Sequence, residues 1–287
     1  MALLALTLAL LAMTVATAAS EVKYLDMALD SFDDQYQGCR PAMTEALPAL
    51  NRSEFQKNPD FARVWVNAAA KRREQGSRVS PVPPLSTLSP AQAIAIMAYT
   101  VNDLHKQFND AVQEAGSSPQ QYRDNFHFKT MHFLLTDALA TLRDSKGRQC
   151  HDVFRGVCRF RFKAQRGDIV RFGRFTSTSL SEETAMCFGT NTIFHVHTCW
   201  GADIQGFSYI ADEKEVLIPP FETFNVTDVT YEGGKSRIWL KSTGTYSKYN
   251  CEWLKGNTTG GSIPRSPFHL GGILLATTAL AVATGIL

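Results

Sequence analysis

Apolar residues recur at helical spacing through the first half of the chain and at alternate positions through the second. Phe55, Phe61, Val64 and Trp65 share one stripe and predict a single amphipathic helix. Ser89-Pro90 opens another over Ala91 to Tyr99, with serine as the cap and proline at the first helical position, where no N–H is needed. Leu104, Phe108, Ala111 and Val112 mark a third stripe. Phe133, Leu134, Ala138 and Leu142 mark a fourth, ending near Gly147. Pro81 to Pro84 reads as a rigid loop. Beyond Cys150 the period falls to two. Val153-Phe154, Cys158 to Phe162, Ile169 to Phe172, Ile193 to Val196, Phe207 to Tyr209, Val216 to Ile218, Phe224 to Val226 and Ile238 to Leu240 read as short strands. Helices followed by strands predict an α+β fold, here one domain over residues 20–255.

The two ends depart from this pattern. Met1 to Ala19 carry no charge, Leu3 to Val15 is almost wholly apolar, and Ala16-Thr17-Ala18-Ala19-Ser20 offers small residues for cleavage. This predicts a secretory signal over residues 1–19, with a buried N-terminal helix as the alternative. Leu270 to Leu287 is again apolar and uncharged, preceded by Gly260-Gly261-Ser262 and a spacer from Ile263 to His269. Small residues, spacer and apolar tail predict a GPI-anchor signal, so residues 256–287 read as a linker and a tail that is removed. A C-terminal membrane span is the alternative. Both ends direct the chain to the outer face of the plasma membrane through a lipid anchor. The alternatives are secretion or the endoplasmic reticulum membrane.

Charge narrows the partners. The 29 Lys and Arg nearly balance the 27 Asp and Glu among 287 residues, which gives no electrostatic case for nucleic acid. The six cysteines, at 39, 150, 158, 187, 199 and 251, contain no CxxC pair. No metal site is predicted, and an even count behind a signal peptide predicts disulfides, with 15 pairings open to six cysteines. His195-Val196-His197 lacks a partner at metal-ligand spacing and reads as strand. Asn51, Asn225 and Asn257 begin glycosylation acceptor triplets. No GxGxxG precedes a helix, which excludes the Rossmann type of dinucleotide site.

Three segments of the β half carry candidate chemistry. Val153-Phe154-Arg155-Gly156 ends an apolar strand on a guanidinium beside exposed backbone, an arrangement that suits a pyrophosphate; a paired or solvated arginine is the plain alternative. In Phe175-Thr176-Ser177-Thr178-Ser179 alternate hydroxyls face a ligand or, equally, an edge strand's neighbours. Glu213 and Glu215 flank Lys214 ahead of Val216-Leu217-Ile218. At a strand entry both carboxylates project to one side, and like charges so placed are costly unless used; an exposed acidic turn is the alternative.

Arg155, then Ser177-Thr178-Ser179, then Glu213-Lys214-Glu215 resembles the R-S-E pattern of the arginine-specific ecto-ADP-ribosyltransferases of vertebrates. Ser31 to Tyr36, Phe126 to Leu135 and Glu215 to Thr223 also resemble that family, from about Tyr24 to Leu254. The resemblance implies a helical N-terminal half packed on a mostly β NAD-binding core. It implies transfer of ADP-ribose from NAD, or NADP, to arginine-bearing extracellular or membrane proteins, with no permanently bound cofactor. Arg155 is then the arginine that supports the NAD site, and Ser177 braces the catalytic glutamate and the nicotinamide ribose. Glu215 is the catalytic glutamate and Glu213 the one required for arginine transfer. Gly156 lets backbone reach the nicotinamide amide, and Phe188 stacks on the ring unless it is a core residue ending a helix from Ser181. The resemblance also implies Cys39–Cys251 and Cys150–Cys199 bridges, leaving Cys158–Cys187 by exclusion.

The chemistry agrees with those roles. Breaking the nicotinamide–ribose bond builds positive charge on the sugar, which a carboxylate stabilises. Arginine is protonated in water and a poor nucleophile, so a second carboxylate orients it and takes its proton. An NAD glycohydrolase uses the same Arg155, Ser177 and Glu215 with water as acceptor. A non-catalytic surface-binding module is the rival of another class.

Overall fold

The structure is a computed structural model and describes residues 21–78 and 87–256. The predicted signal, the Pro81–Pro84 loop, Asn257 and the tail beyond Gly256 lie outside the described residues. Among the described residues no helix is long and apolar enough to cross a membrane.

A short strand, β1 (Glu21–Tyr24), precedes six helices: α1 (Arg40–Lys57), α2 (Pro59–Arg78), α3 (Pro90–Thr100), α4 (Asn102–Ala115), α5 (Pro119–Asn125) and α6 (Lys129–Ser145). The predicted single helix through Phe55 and Trp65 is two, broken at Asn58. Pro59 bars helical backbone at the residue before it, and the Asn58 side chain accepts the Phe61 N–H at 3.0 Å, capping α2. The Ser89 start of α3 is a full capping box: Ser89 Oγ accepts the Gln92 N–H and Gln92 Oε1 accepts the Ser89 N–H.

The β half begins at β2 (His151–Val157), as the change of period near Cys150 predicts. Then follow β3 (Phe160–Lys163), β4 (Ile169–Val170), β5 (Thr176–Ser179), α7 (Glu182–Cys187), β6 (Thr192–Thr198), β7 (Ala202–Asp203), β8 (Glu215–Ile218), β9 (Glu222–Glu232), β10 (Lys235–Thr245) and α8 (Glu252–Gly256). β1 pairs with β3, and the remaining strands form one eight-stranded sheet ordered β4-β9-β10-β6-β2-β5-β8-β7. Phe207 to Tyr209 is a turn rather than the predicted strand, because the Phe207 N–H closes back on the Ile204 carbonyl at 2.8 Å.

One junction in that sheet positions the site. β2 is paired with β6 over seven residues, from His151–Thr198 to Val157–Thr192, but meets β5 only at Phe154–Ser179. The sheet therefore splays open between β2 and β5.

The ends of the domain are laced together by Ser31 to Tyr36. Asp33 pairs with Arg171 at 2.6 Å, both side chains wholly buried, and also accepts the N–H groups of Lys248 and Tyr249. Asp34 accepts those of Tyr36, Cys251 and Glu252. Phe32 stacks on Tyr122 at 3.9 Å. His132, pushed down to about 3 by burial, is neutral; its Nε2 faces the Phe32 carbonyl and its Nδ1 the Tyr36 hydroxyl.

Cys39 is bonded to Cys251 and Cys150 to Cys199. The third bridge, Cys158–Cys187, is absent: both are exposed thiols. Cys158 lies in the turn after β2, while Cys187 Sγ turns back along α7 to the Glu183 carbonyl, 3.4 Å away. Asn51 sits within α1 with its Oδ1 buried, and Asn225 lies within β9, so neither of these glycosylation candidates is on a loop.

Candidate active site

A cavity of about 390 Å³ opens where β2 and β5 diverge, within the range of small-molecule sites. It is lined by Arg155, Gly156, Ser177, Phe188, Glu213 and Glu215, all six candidates read from the sequence.

Arg155 spans the splay. From β2 its Nη1 donates to the Ser177 carbonyl on β5 at 2.6 Å, holding the two strands in place where their own ladder has ended. Burial, helped by nearby Arg174, pulls its guanidinium down to about 10. Next to it, Gly156 is fixed by crowding. A Cβ there would stand 2.2 Å from the Ala185 carbonyl oxygen and 2.4 Å from that of Gly189, so only glycine lets the end of α7 close over β2. That closure delivers Phe188 to the cavity, 54% exposed at the C-terminal cap of α7. Phe188 is therefore not a core residue.

On the other wall, Thr178 Oγ1 donates to the Val216 carbonyl and Ser179 Oγ to the Glu213 carbonyl, pinning β5 to β8 and to the turn before it. The two glutamates do not share a strand face as predicted. Glu213 ends a 3-10 turn (Ala211–Glu213), Lys214 is left-handed with φ +48°, and the strand starts at Glu215. The left-handed residue nonetheless turns both carboxylates into one cavity.

Glu215 is 4% exposed. Burial lifts its carboxyl to about 7, Glu213 adds to the rise, and the Ser177 and Ser208 hydroxyls and Arg155 oppose it. Ser208 Oγ donates to Glu215 Oε2 at 3.3 Å. Burial also raises Glu213, the less enclosed of the two. The arrangement buries one carboxylate beside the Ser208 hydroxyl, within the field of Arg155, and leaves a second more exposed in the same cavity.

Sequence reasoning missed Tyr99, Asn109, Arg174 and Ser208. Tyr99 Oη and Asn109 Nδ2, from α3 and α4, both donate to the Phe175 carbonyl, at 2.8 and 3.0 Å, and so fix the entry to β5. Nothing in the chain's spacing joins them to the β half. Ser208 lies in the segment read as a strand.

Elsewhere, Cys150, His197 and Cys199 bring ligand-type atoms within 4.8 Å of one another. Both sulfurs are spent on the disulfide, and His197 pairs with Asp152 at 2.7 Å.

A helical layer, a splayed mixed sheet and a buried glutamate at the split define the class. The chain belongs to the NAD:arginine ADP-ribosyltransferase family, whose profile matches residues 25–248. The erythroblast NAD(P)(+)--arginine ADP-ribosyltransferase of Gallus gallus is 48% identical over 88% of this chain and 86% of its own. The GPI-linked NAD(P)(+)--arginine ADP-ribosyltransferase 1 of Homo sapiens is 43% identical over 92% and 83%. Among solved structures, the eukaryotic mono-ADP-ribosyltransferase ART2.2 superposes with a TM-score of 0.66 at 35% identity, covering 79% of this chain and 98% of that one. A mutant of that enzyme in complex with NAD has the same TM-score and coverage at 33% identity. The α+β fold of this family is the fold of the chain.

Proposed function

We propose that the protein transfers ADP-ribose from NAD to arginine side chains of other proteins and releases nicotinamide. The observation that carries this reading is Glu215, buried beside Ser177 and Arg155 with Glu213 opening on the same cavity. The bond from the ribose C1′ to the nicotinamide nitrogen breaks, and its electron pair leaves with nicotinamide. Glu215 stabilises the positive charge left on the sugar, in a site where water is largely excluded. An acceptor arginine nitrogen then bonds to C1′ and loses its proton to Glu213, which passes it to solvent. Ser177 braces Glu215, Arg155 holds the frame, Gly156 admits the nicotinamide end and Phe188 stacks on it.

The nicotinamide ring of NAD is itself a cation. Its arrival beside Glu215 favours the carboxylate, so substrate binding itself drives the group towards its working form. The test is labelled NAD with and without an arginine analogue. Labelled analogue is the expected product. Free ADP-ribose alone, with analogue in excess, would make the protein a glycohydrolase, and no turnover would make it a binding module.

We further propose that residues 1–19 are a cleaved signal and that residues 256–287 carry a GPI-anchor signal. The human relative's name, which includes "GPI-linked", supports this reading. Release from cells by a GPI-specific phospholipase is expected, and retention while controls are released points to a span.

A further inference from the structure

Arg174 is a cation of the cavity that none of the roles above explains. It lines the same pocket as Arg155 and stands immediately before Phe175, whose carbonyl is clamped by Tyr99 and Asn109, so its backbone is fixed. Its guanidinium is drawn down chiefly by burial and lies close enough to Arg155 to depress that group too. Among the described residues it has no hydrogen bond or ion-pair contact. The carboxylate that acts on it, Asp110, is already bonded to Lys106. Two neighbouring guanidiniums lining one cavity repel each other unless an anion comes between them or bridges them.

The charges are also ordered. Glu213 acts on Glu215, Glu215 acts on Arg155, and Arg174 acts on Arg155 in turn, all four lining the one cavity. NAD has the complementary order: a cationic ring, a neutral ribose, then a doubly charged pyrophosphate. Arg155 has one terminal nitrogen committed to the Ser177 carbonyl, whereas Arg174 keeps its whole fork of donors. Resting on the function proposed above, we infer that Arg174 is the residue that grips the pyrophosphate of the dinucleotide and so sets how deeply the nicotinamide end reaches towards Glu215.

The test separates the two ends of the substrate. NAD turnover, and inhibition by ADP-ribose and by nicotinamide, are measured for the wild type, Arg174→Gln and Arg174→Lys. Losing a charge-assisted contact should raise KM for NAD and the inhibition constant of ADP-ribose together, by about 10- to 100-fold. Turnover at saturating NAD should fall far less, and the constant for nicotinamide, which has no phosphate, should stay put. Lysine supplies a point charge without the fork, so Arg174→Lys should show a smaller rise, and this variant carries the test if Arg174→Gln does not fold. Unmoved ADP-ribose constants overturn the inference. So does a matching shift for nicotinamide, which marks a general disturbance of the cavity. A wild type that neither turns over NAD nor binds ADP-ribose overturns the functional reading and this inference with it; an active wild type with unmoved variants overturns this inference alone.

Discussion

Arg171 and Arg174 are three residues apart in the chain and enclosed by the same domain, yet they sit in opposite situations. Arg171 spends its donors on Asp33 and on the carbonyls of Met27, Ala28 and Tyr246, at 2.6 to 3.1 Å. Arg174 has no such partner among the described residues and faces a cavity. The same contrast holds for the acids: Asp33 and Asp34 accept three hydrogen bonds each, from backbone N–H groups and, at Asp33, from Arg171, whereas Glu213 and Glu215 line the cavity, where Ser208 donates to Glu215. A buried charge with every valence filled is a joint. One left short of partners is kept for a ligand, at a standing cost in stability.

The sharpest break in this comparison is Glu215→Gln. With the cavity's carboxylate neutralised, both NAD hydrolysis and transfer should fall by at least about 10³-fold while the fold is kept. The same change should stabilise. The folded carboxyl, at about 7, holds its proton more tightly than an unfolded one near 4.5, so stability falls as pH rises through that interval and stays lower above it. Glu215→Gln should therefore be up to about 3 kcal/mol more stable than wild type at pH 8 in urea titrations and no more stable at pH 4. A destabilised Gln variant at pH 8 contradicts the picture. In the wild type, kcat/KM should fall below about pH 7, with the limb in kcat displaced to lower pH by the bound cation.

Arg171→Ala attacks the joint and should do the reverse, costing about 3–5 kcal/mol of stability because Asp33 is left buried without its partner. A loss below about 1 kcal/mol would show that the pair is not the joint described. Glu213→Gln sharpens the contrast within the cavity. Arginine transfer should drop by about 10²-fold and NAD hydrolysis persist, since this carboxylate serves the acceptor. Equal loss of both activities removes that division of labour.

The smallest effects belong to Cys158 and Cys187. Alkylation of unreduced protein should label these two alone among the six cysteines, and Ser substitution at either should move stability by no more than about 0.5 kcal/mol. Reduction of Cys39–Cys251, by contrast, should remove roughly 5 kcal/mol in the chain-entropy model for a loop of 212 residues.

Features governed by neighbours in the chain could be read from it. The Ser89 cap, the change of period near Cys150 and the Arg155, Ser177 and Glu215 segments are local. The break at Asn58-Pro59 was written in the sequence too, hidden by an apolar stripe that happens to continue in phase across it. Phe207-Ser208-Tyr209 mimics alternation, but only a hydrogen bond back to Ile204 shows that it turns. Arg174, Tyr99 and Asn109 enter the site only because α3 and α4 pack against the start of β5, a juxtaposition with no short-range signature. The Cys158–Cys187 pairing failed because exclusion assumes that every thiol is oxidised.

The bond between Cys39 and Cys251 has a mechanical meaning as well. Its partners are 212 positions apart, and the eight-stranded sheet and the cavity lie wholly between them. Once β1 is stripped from β3 and the segment before Cys39 is released from Arg171, tension applied between Glu21 and Gly256 would pass from Cys251 to Cys39 and could draw out only the short segments outside the loop. Roughly 700 Å of contour, at about 3.3 Å per residue, is thereby shielded from pulling. A molecule tethered at its C-terminal side and tugged at the other end would keep its catalytic sheet unloaded for as long as that one bond stays oxidised.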